Sequence, residues 1–136
     1  MKEDRLIKQL HFLTELDSLK KVSRQTYLHD NSRNENSAEH SWHLALYLAI
    51  LSEYCDKMIN QLKTLKMLLI HDIVEIDAGD TFAYDLEAQK AKKEKEVKAA
   101  NRIFSLLPLE QEKEYRDLWH EFEENITPEA RFANAI

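Results

Sequence analysis

The chain has 136 residues, of which 43% are hydrophobic and 32% are charged, and its formal net charge is −6. This length, with no break in composition, predicts one domain over residues 1–136. The negative charge argues against broad binding to DNA or RNA, because such binding depends on many phosphate contacts from Lys and Arg. A small phosphorylated ligand is compatible with this charge, since one or two arginines suffice to hold it.

The sequence also bounds the compartment of the protein. No apolar run approaches the roughly 20 residues needed to cross a bilayer, and the N-terminus leads into an amphipathic stretch instead of a signal sequence. Cys55 is the only cysteine, which excludes an intramolecular disulfide and fits a reducing cytosol. We therefore expect a soluble, cytoplasmic protein without a membrane partner.

The first part of the chain predicts two helices joined by a long polar connection. A single Gly and two Pro, with abundant Leu, Ala, Glu and Lys, favour helices over a turn-rich β architecture. Leucines at helical spacing predict a first helix over about 3–21. Residues 24–36 are polar and predict a loop. Ser37 is the expected N-cap of a helix over about 38–55.

The central part of the chain is its most apolar region. The predicted helices over 38–55 and about 60–76 carry apolar residues nearly all round, the pattern of central helices packed on several sides. Gly79, the only glycine, predicts the end of the second of these helices and a following loop.

The last part of the chain predicts an outer helix and two further helices. Residues 86–107 carry many Lys and Glu with sparse apolar positions, which predicts an exposed helix with Asp85 as its N-cap. Another helix is expected over about 108–124. Thr127 followed by Pro128 indicates an N-cap and an N1 proline that open a last helix.

A cluster of ionisable residues interrupts the apolar central region, and its members are His71, Asp72, Glu75, Asp77 and Asp80. Burying carboxylates and an imidazole costs several kcal/mol per group unless a metal ion, a counter-charge or hydrogen bonds compensate. The cluster therefore indicates a site that binds a metal or a phosphate. For Asp77 alone, a hydrogen bond within the loop is the simpler interpretation.

Helical spacing suggests how these groups could surround one ion. His71 and Glu75 lie at i and i+4 on one helix face, while Asp72 is turned by about 100° from His71. His40, in the preceding helix, would complete the set. Imidazole and carboxylate ligands suit divalent transition metals, which can acidify water for hydrolysis. The alternative is a core histidine bonded to a carboxylate; the concentration of such groups in the two most apolar helices favours a site.

The residues also carry a resemblance to a known family. Three motifs carry it, namely RNENSAEHS at 33–41, HDxxE at 71–75 and GD at 79–80. Together, over about residues 19–136, they resemble the HD-domain metal-dependent phosphohydrolases, and most closely the branch that contains the 5′-deoxynucleotidases. The resemblance implies an all-α helical bundle of about five to six helices.

The resemblance implies roles for individual residues. His40, His71 and Asp72 match three of the family's metal ligands, so a divalent ion is expected, whether Mn, Co, Mg, Fe, Zn or Ni. Glu75 matches the acidic residue that activates water or protonates the leaving oxygen. Asp80 matches a second acidic residue near the scissile phosphate and sugar.

Substrate contacts follow from the same resemblance. Arg24 resembles the arginine that grips the phosphate, and Arg33 is a second substrate-binding residue, although a surface ion pair is the alternative for a loop arginine. Trp42 and Tyr84 could line a base pocket, but packing in the core is the commoner role of such aromatics. His43 is expected near the ligands or in the core. No role is expected for the remaining histidines.

The C-terminal end departs from the family pattern. In the family a last metal ligand, an Asp, follows a segment that resembles residues 127–136, and it should come immediately after Ile136. The resemblance thus implies an HD domain that is incomplete at its C-terminus. Three ligands would remain, with reduced metal affinity and reduced turnover.

The function implied by the resemblance is hydrolysis of nucleoside 5′-monophosphates. One alternative is an enzyme of the same architecture that acts on another phosphoester, such as a cyclic nucleotide, an alarmone or a phosphonate, because metal ligands do not encode the leaving group. Another is a non-catalytic helical remnant with a vestigial metal site. A homodimer is also implied, since relatives often pair.

Overall fold

Helices account for most of the fold in the computed structural model, which describes residues 2–79 and 85–136. Within these ranges the α-helices are α1 (Lys2–Leu16), α2 (Ser37–Leu51), α3 (Gln61–Ile70), α4 (Glu75–Ala78), α5 (Leu86–Phe104), α6 (Leu109–Glu124) and α7 (Pro128–Ala135). Short 3₁₀ turns follow α1 at Asp17–Lys21 and α2 at Ser52–Tyr54. The all-α class predicted from the sequence is confirmed.

The segment predicted as a loop over 24–36 is instead a β-hairpin. Strand β1 (Ser23–Tyr27) pairs antiparallel with β2 (Asn34–Asn36). The turn between them closes with a 2.9 Å hydrogen bond from the Leu28 amide to the Arg33 carbonyl. Both strands are short, with β1 mostly exposed and β2 partly buried, and their polar residues lack the alternating apolar pattern by which a strand is recognised. This hairpin brings β2 directly into the start of α2.

A capping box fixes the start of α2, and Asn36 forms it instead of the predicted Ser37. The Asn36 side chain accepts a 2.9 Å hydrogen bond from the Glu39 amide, and Glu39 Oε1 accepts a 2.8 Å bond from the Asn36 amide. These reciprocal bonds satisfy two backbone donors that the first helical turn leaves unpaired. Arg33 donates to both oxygens of the same Glu39 carboxylate. The hairpin and α2 are thereby joined at a defined angle.

Only one face of α2 is packed, which corrects the prediction of a helix packed on several sides. Leu44 and Leu48 are buried against the core, whereas Trp42, Leu46 and Ile50 are 64%, 44% and 68% exposed. The exposed residues are four apart in sequence, so they form one stripe along the helix. We refer to Trp42, Leu46 and Ile50 as the α2 stripe.

The core is organised around α3, which packs against α2, α6 and α7. Met67 and Leu68 are fully buried there. The helix ends at Ile70, although its apolar pattern predicted helix to about residue 76. Residues 71–74 form hydrogen-bonded turns before α4 begins. Because Ile73 and Val74 are only 1% exposed, these turns are packed into the core instead of lying on the surface.

The helices of the C-terminal half begin where the sequence predicts. Asp85 accepts a hydrogen bond from the Ala88 amide at 2.8 Å, and Thr127 accepts one from the Ala130 amide at 3.2 Å. Ala130 and Ala133 are buried, and their small side chains allow α7 to approach α3 closely. Among the described helices, none combines the length and apolar character needed to cross a membrane.

The capping box predicts a specific acid sensitivity. Hydrogen bonds from the Arg33 side chain and the Asn36 backbone lower the pKa of Glu39 from 4.5 to about 2. A carboxyl group with a depressed folded-state pKa stabilises the fold above its unfolded pKa, and that contribution is lost as the pH falls towards 2. We expect Glu39→Gln, which keeps an acceptor for the Asn36 amide, to lose less free energy of unfolding than the wild type between about pH 5 and pH 2.

Urea unfolding at several pH values measures this difference, with Glu53→Gln, on the exposed 3₁₀ turn after α2, as the control. Parallel curves of stability against pH for the wild type and Glu39→Gln would show that the box contributes no charge-dependent stability.

Candidate metal centre

Three predicted ligands converge from two parts of the chain. His40 lies in the first turns of α2, and His71 and Asp72 follow the last residue of α3. One potential ligand atom from each residue lies within 4.8 Å of the other two. Two ligands of the same ion are about 3 to 4 Å apart when each bonds at about 2.0–2.2 Å. The spacing and the donor types of this triad therefore fit a divalent metal ion.

The orientation of His71 supports that fit. Its Nδ1 atom lies 2.6 Å from the carbonyl oxygen of Leu68, and because a carbonyl only accepts, Nδ1 must carry a hydrogen. The other ring nitrogen, Nε2, lies 3.0 Å from Asp72 Oδ2. A lone pair and a carboxylate oxygen repel at this distance unless a cation lies between them. A proton can serve as that cation, and so can a metal ion.

The pKa shifts of His71 and Asp72 also favour a positive charge beside the Asp72 carboxylate. Burial alone would lower the pKa of His71, but the hydrogen bond and the charge of Asp72 outweigh it and raise that pKa. Burial alone would raise the pKa of Asp72, yet the hydrogen bond and charge of His71, together with the charge of Arg24, lower it. The pair is therefore most stable with Asp72 ionised and a cation beside it.

His40 has the opposite tendency, because its surroundings favour the neutral imidazole. Burial, together with the positive charge of Arg24, lowers the pKa of His40. Its Nε2 atom lies 3.9 Å from Asp72 Oδ2, and its Nδ1 atom lies 3.3 Å from Glu35 Oε1. Metal ligation requires the unprotonated ring nitrogen of a neutral imidazole. The surroundings of His40 therefore favour the form that a ligand needs.

Arg24 reaches the centre from strand β1. Its Nη1 atom donates a 2.9 Å hydrogen bond to Asp72 Oδ2, and its Nε atom lies 3.5 Å from Glu35 Oε1. The hairpin that the sequence did not predict therefore carries both the predicted phosphate-binding arginine and a carboxylate. Glu35 was not among the predicted site residues, although it lies inside the RNENSAEHS motif. Glu35 lies two residues before the start of α2, and this closeness to His40 in the sequence is the signal that could have indicated it.

Glu75 is attached to the same turn of α2 that carries His40. The Ser37 hydroxyl donates a 2.8 Å hydrogen bond to Glu75 Oε2, and Ser37 is fully buried. This buried hydroxyl donor holds one oxygen of the Glu75 carboxylate in place. Glu75 is therefore fixed relative to the first turn of α2.

The other predicted residues have different surroundings. Arg33 forms its ion pair with Glu39 and lies on the exposed side of the hairpin; its role with substrate stays a prediction, as does that of Asp80. Asp80 and Tyr84 lie outside the described residues. Asp77 accepts hydrogen bonds from Arg102 of α5 at 2.5 and 2.8 Å. These bonds join α4 to another helix, whereas the sequence predicted a hydrogen bond within the loop.

Two side chains of α2, Trp42 and His43, are not packed in the core, so that predicted alternative is wrong for both. Trp42 is exposed and stacks on His43 with ring centroids 6.0 Å apart. His43 is exposed as well and contacts Tyr47 at 4.8 Å. Helical position explains this outcome, because Leu44 and Leu48 occupy the buried face of α2.

Two more carboxylates contribute to the electrostatics of the centre. Partial burial raises the pKa of Glu96 on α5, and the charge of Asp72 adds to that increase. Desolvation and the charge of Glu96 raise the pKa of Glu123 on α6. The carboxylates of Glu96 and Glu123 therefore interact electrostatically with Asp72 of the triad, and their mutual repulsion with it is reduced when a cation is bound there.

The chain matches known proteins over most of its length. The family model described as HD domain matches residues 16–136. The 5′-deoxynucleotidase HDDC2 of Xenopus laevis is 30% identical over 128 residues, which are 93% of this chain and 62% of that protein. The 5′-deoxynucleotidase hdd1 of Schizosaccharomyces pombe is 32% identical over 131 residues, or 92% of this chain and 64% of that protein. The chain thus spans less than two thirds of either relative.

A solved structure agrees with these matches. The crystal structure of a predicted metal-dependent phosphohydrolase from Magnetospirillum magnetotacticum MS-1 is 52% identical in sequence. It superposes with a TM-score of 0.88 over 96% of this chain and 67% of that one. Membership of this group implies a divalent metal ion, in agreement with the donor set of the triad. With the helical fold, the three motifs and the family match over residues 16–136, the chain belongs to the HD-domain family.

Proposed function

We propose that this chain is a metal-dependent phosphohydrolase whose centre is built on His40, His71 and Asp72. The observation that carries the proposal is the convergence of these three side chains, with Arg24 bonded to the same Asp72 carboxylate. A cation site beside a guanidinium is suited to a phosphate ester, because both positive groups compensate its negative oxygens. The names of the relatives support a hydrolase acting on nucleotides.

The residues of the chain divide the reaction between them. When bound, a divalent ion supplies Lewis-acid polarisation and lowers the pKa of water. The Arg24 guanidinium binds the phosphoryl oxygens and keeps the phosphorus atom in place for in-line attack. Glu75 accepts the proton of the attacking water as the new P–O bond forms. The bond from phosphorus to the ester oxygen then breaks, and that oxygen takes up the proton from Glu75 and leaves as an alcohol.

We further propose nucleoside 5′-monophosphates as substrates, with nucleoside and inorganic phosphate as products. The support is similarity to two proteins named 5′-deoxynucleotidase. Asp80, by its match to the family motif, would orient the sugar or the water. Arg33 is proposed as a second contact to the phosphate, which requires it to exchange its bond with Glu39 for one with substrate. The cytoplasm is the proposed location of this activity.

The proposed ligand set predicts how one substitution changes metal affinity. Asp72→Ala removes a charged ligand. Loss of a residue that only supports a ligand lowers metal affinity by roughly 10- to 100-fold. Because Asp72 is itself a proposed ligand, we expect its loss to lower Mn²⁺ affinity by more than about 100-fold. Asp77→Ala removes a carboxylate that pairs with Arg102 instead and should leave affinity unchanged. Calorimetric titration of both variants measures this, and equal affinities would exclude Asp72 as a ligand.

The proposed role of Glu75 predicts a separation of binding from turnover. Glu75→Ala should keep Mn²⁺ affinity near that of the wild type and reduce phosphate release by about 10²- to 10⁴-fold, the usual contribution of a general acid or base. The assay uses a panel of nucleoside 5′-monophosphates, with a cyclic nucleotide and an alarmone included. Unchanged turnover would remove Glu75 from catalysis, and activity confined to the other phosphoesters would exclude the proposed substrate class.

We also propose that the chain pairs with a second copy of itself through the α2 stripe. Trp42, Leu46 and Ile50 form a continuous apolar surface on one helix face, and an isologous dimer would lay this stripe against its own copy. The neighbouring side chains His43 and Tyr47 would extend the contact.

The stripe predicts the response of the oligomeric state to one charge. Ile50→Glu should shift the protein to monomer, because burying an unpaired carboxylate in an apolar interface costs several kcal/mol. Met58→Glu, at a 99% exposed position outside the stripe, is the control and should leave the dimer intact. Sedimentation equilibrium measures both, and a wild-type protein that is monomeric at all concentrations would contradict the pairing.

A further inference from the structure

Glu35 of strand β2 lies between two residues of the proposed centre. Its Oε1 atom is 3.3 Å from His40 Nδ1 and 3.5 Å from Arg24 Nε. The Thr26 hydroxyl donates to the same oxygen at 3.4 Å. The Glu35 side chain is only 15% exposed. A carboxylate held this far out of water needs partners, and its partners here are groups of the proposed site.

The imidazole of His40 is flanked by two carboxylates, one at each ring nitrogen. Glu35 Oε1 is 3.3 Å from Nδ1, and Asp72 Oδ2 is 3.9 Å from Nε2. A neutral imidazole has one N–H group, and a carboxylate oxygen can only accept its hydrogen. The nearer acceptor, Glu35, therefore favours the tautomer with hydrogen on Nδ1. In that tautomer the lone pair of Nε2 faces Asp72 and the triad.

Glu35 also restrains Arg24. Within the part of the chain that the structure describes, Arg24 Nε is buried and forms no hydrogen bond of good geometry. The Glu35 oxygen at 3.5 Å compensates its charge, while Nη1 is bonded to Asp72. The guanidinium is thus held between one carboxylate of the triad and one carboxylate outside it.

We propose that Glu35 is a positioning residue of the centre: it accepts a hydrogen bond from His40 Nδ1, directs Nε2 to the metal ion, and holds Arg24 beside it. The inference rests on the proposed metal centre and adds a residue to it that touches neither metal nor substrate. Carboxylates that orient a ligating histidine in this way fix its tautomer and increase its basicity.

The tautomer of His40 tests the inference without any metal. Long-range ¹H–¹⁵N spectra at about pH 8, above the ordinary histidine pKa, distinguish Nδ1–H from Nε2–H. We expect Nδ1–H in the wild type and a shift towards Nε2–H in Glu35→Ala. Glu35→Gln should retain Nδ1–H, because its amide oxygen can still accept. Glu39→Gln is the matched control, since Glu39 bonds to Arg33 and to the Asn36 amide of the adjacent capping box.

Metal affinity provides the second measurement. Mn²⁺ titration should show a loss of roughly 10- to 100-fold in Glu35→Ala and an affinity close to that of the wild type in Glu35→Gln. Glu39→Gln should lower the unfolding temperature and leave affinity unchanged. If Glu35→Ala does not fold, Glu35→Leu, which fills similar space without an acceptor, replaces it in both measurements.

The outcomes separate this inference from the proposed function. The inference is overturned if Glu35→Ala, or Glu35→Leu in its place, keeps the Nδ1–H tautomer of His40 or binds Mn²⁺ as tightly as the wild type. It is also overturned if a folded Glu35→Gln loses as much Mn²⁺ affinity as that variant. A wild-type protein that binds no Mn²⁺ would refute the proposed centre instead. The tautomer spectra would then decide by themselves whether Glu35 positions His40.

Discussion

The arrangement depends on one constraint: a buried imidazole next to a buried carboxylate must share a cation. His71 and Asp72 are adjacent in sequence, and the atoms that face each other are 3.0 Å apart. His71 cannot turn away, because its other nitrogen is bonded to the Leu68 carbonyl. The Arg24 guanidinium supplies part of this positive charge through its hydrogen bond to Asp72, and a metal ion held by the triad would supply the rest. Without either cation, Asp72 would be a largely buried and uncompensated negative charge.

The backbone that follows α3 holds both site residues in place. His71 keeps right-handed helical backbone angles at the C-cap of α3, and hydrogen-bonded turns follow over 71–74. These turns pack Ile73 and Val74 into the core, which anchors the backbone that carries both site residues. The hairpin then places Arg24 and Glu35 beside His40. The packing of Ile73 and Val74 thus serves both the stability of the fold and the site.

Much of this architecture could be predicted from local signals. Thr127 and Asp85 cap their helices as expected, because capping depends on residues within one turn. The hairpin could not be predicted, since its short polar strands have no apolar alternation. The end of α3 was missed for the opposite reason: Ile73 and Val74 continue the apolar pattern, and only tertiary packing shows that they leave the helix.

The structure brings some of the predicted site residues together and leaves others apart. His40, His71 and Asp72 meet because a motif specifies them, whereas Glu35 becomes visible only when β2 is folded against α2. Trp42 shows the limit of composition, since an apolar helix does not reveal which of its faces meets the core and which meets solvent. Arg33 shows the limit of a motif, because its contact in the structure is the capping glutamate.

The ligation of a metal ion by two histidines is the central claim, and pulsed electron paramagnetic resonance tests it directly. Mn²⁺ bound to protein labelled with ¹⁵N-histidine should show coupling to two directly ligated imidazole nitrogens. One coupling should disappear in His40→Ala and the other in His71→Ala, with His120→Ala as the unaffected control. Bound Mn²⁺ without coupling to histidine nitrogen, or with couplings that survive both substitutions, would contradict the account.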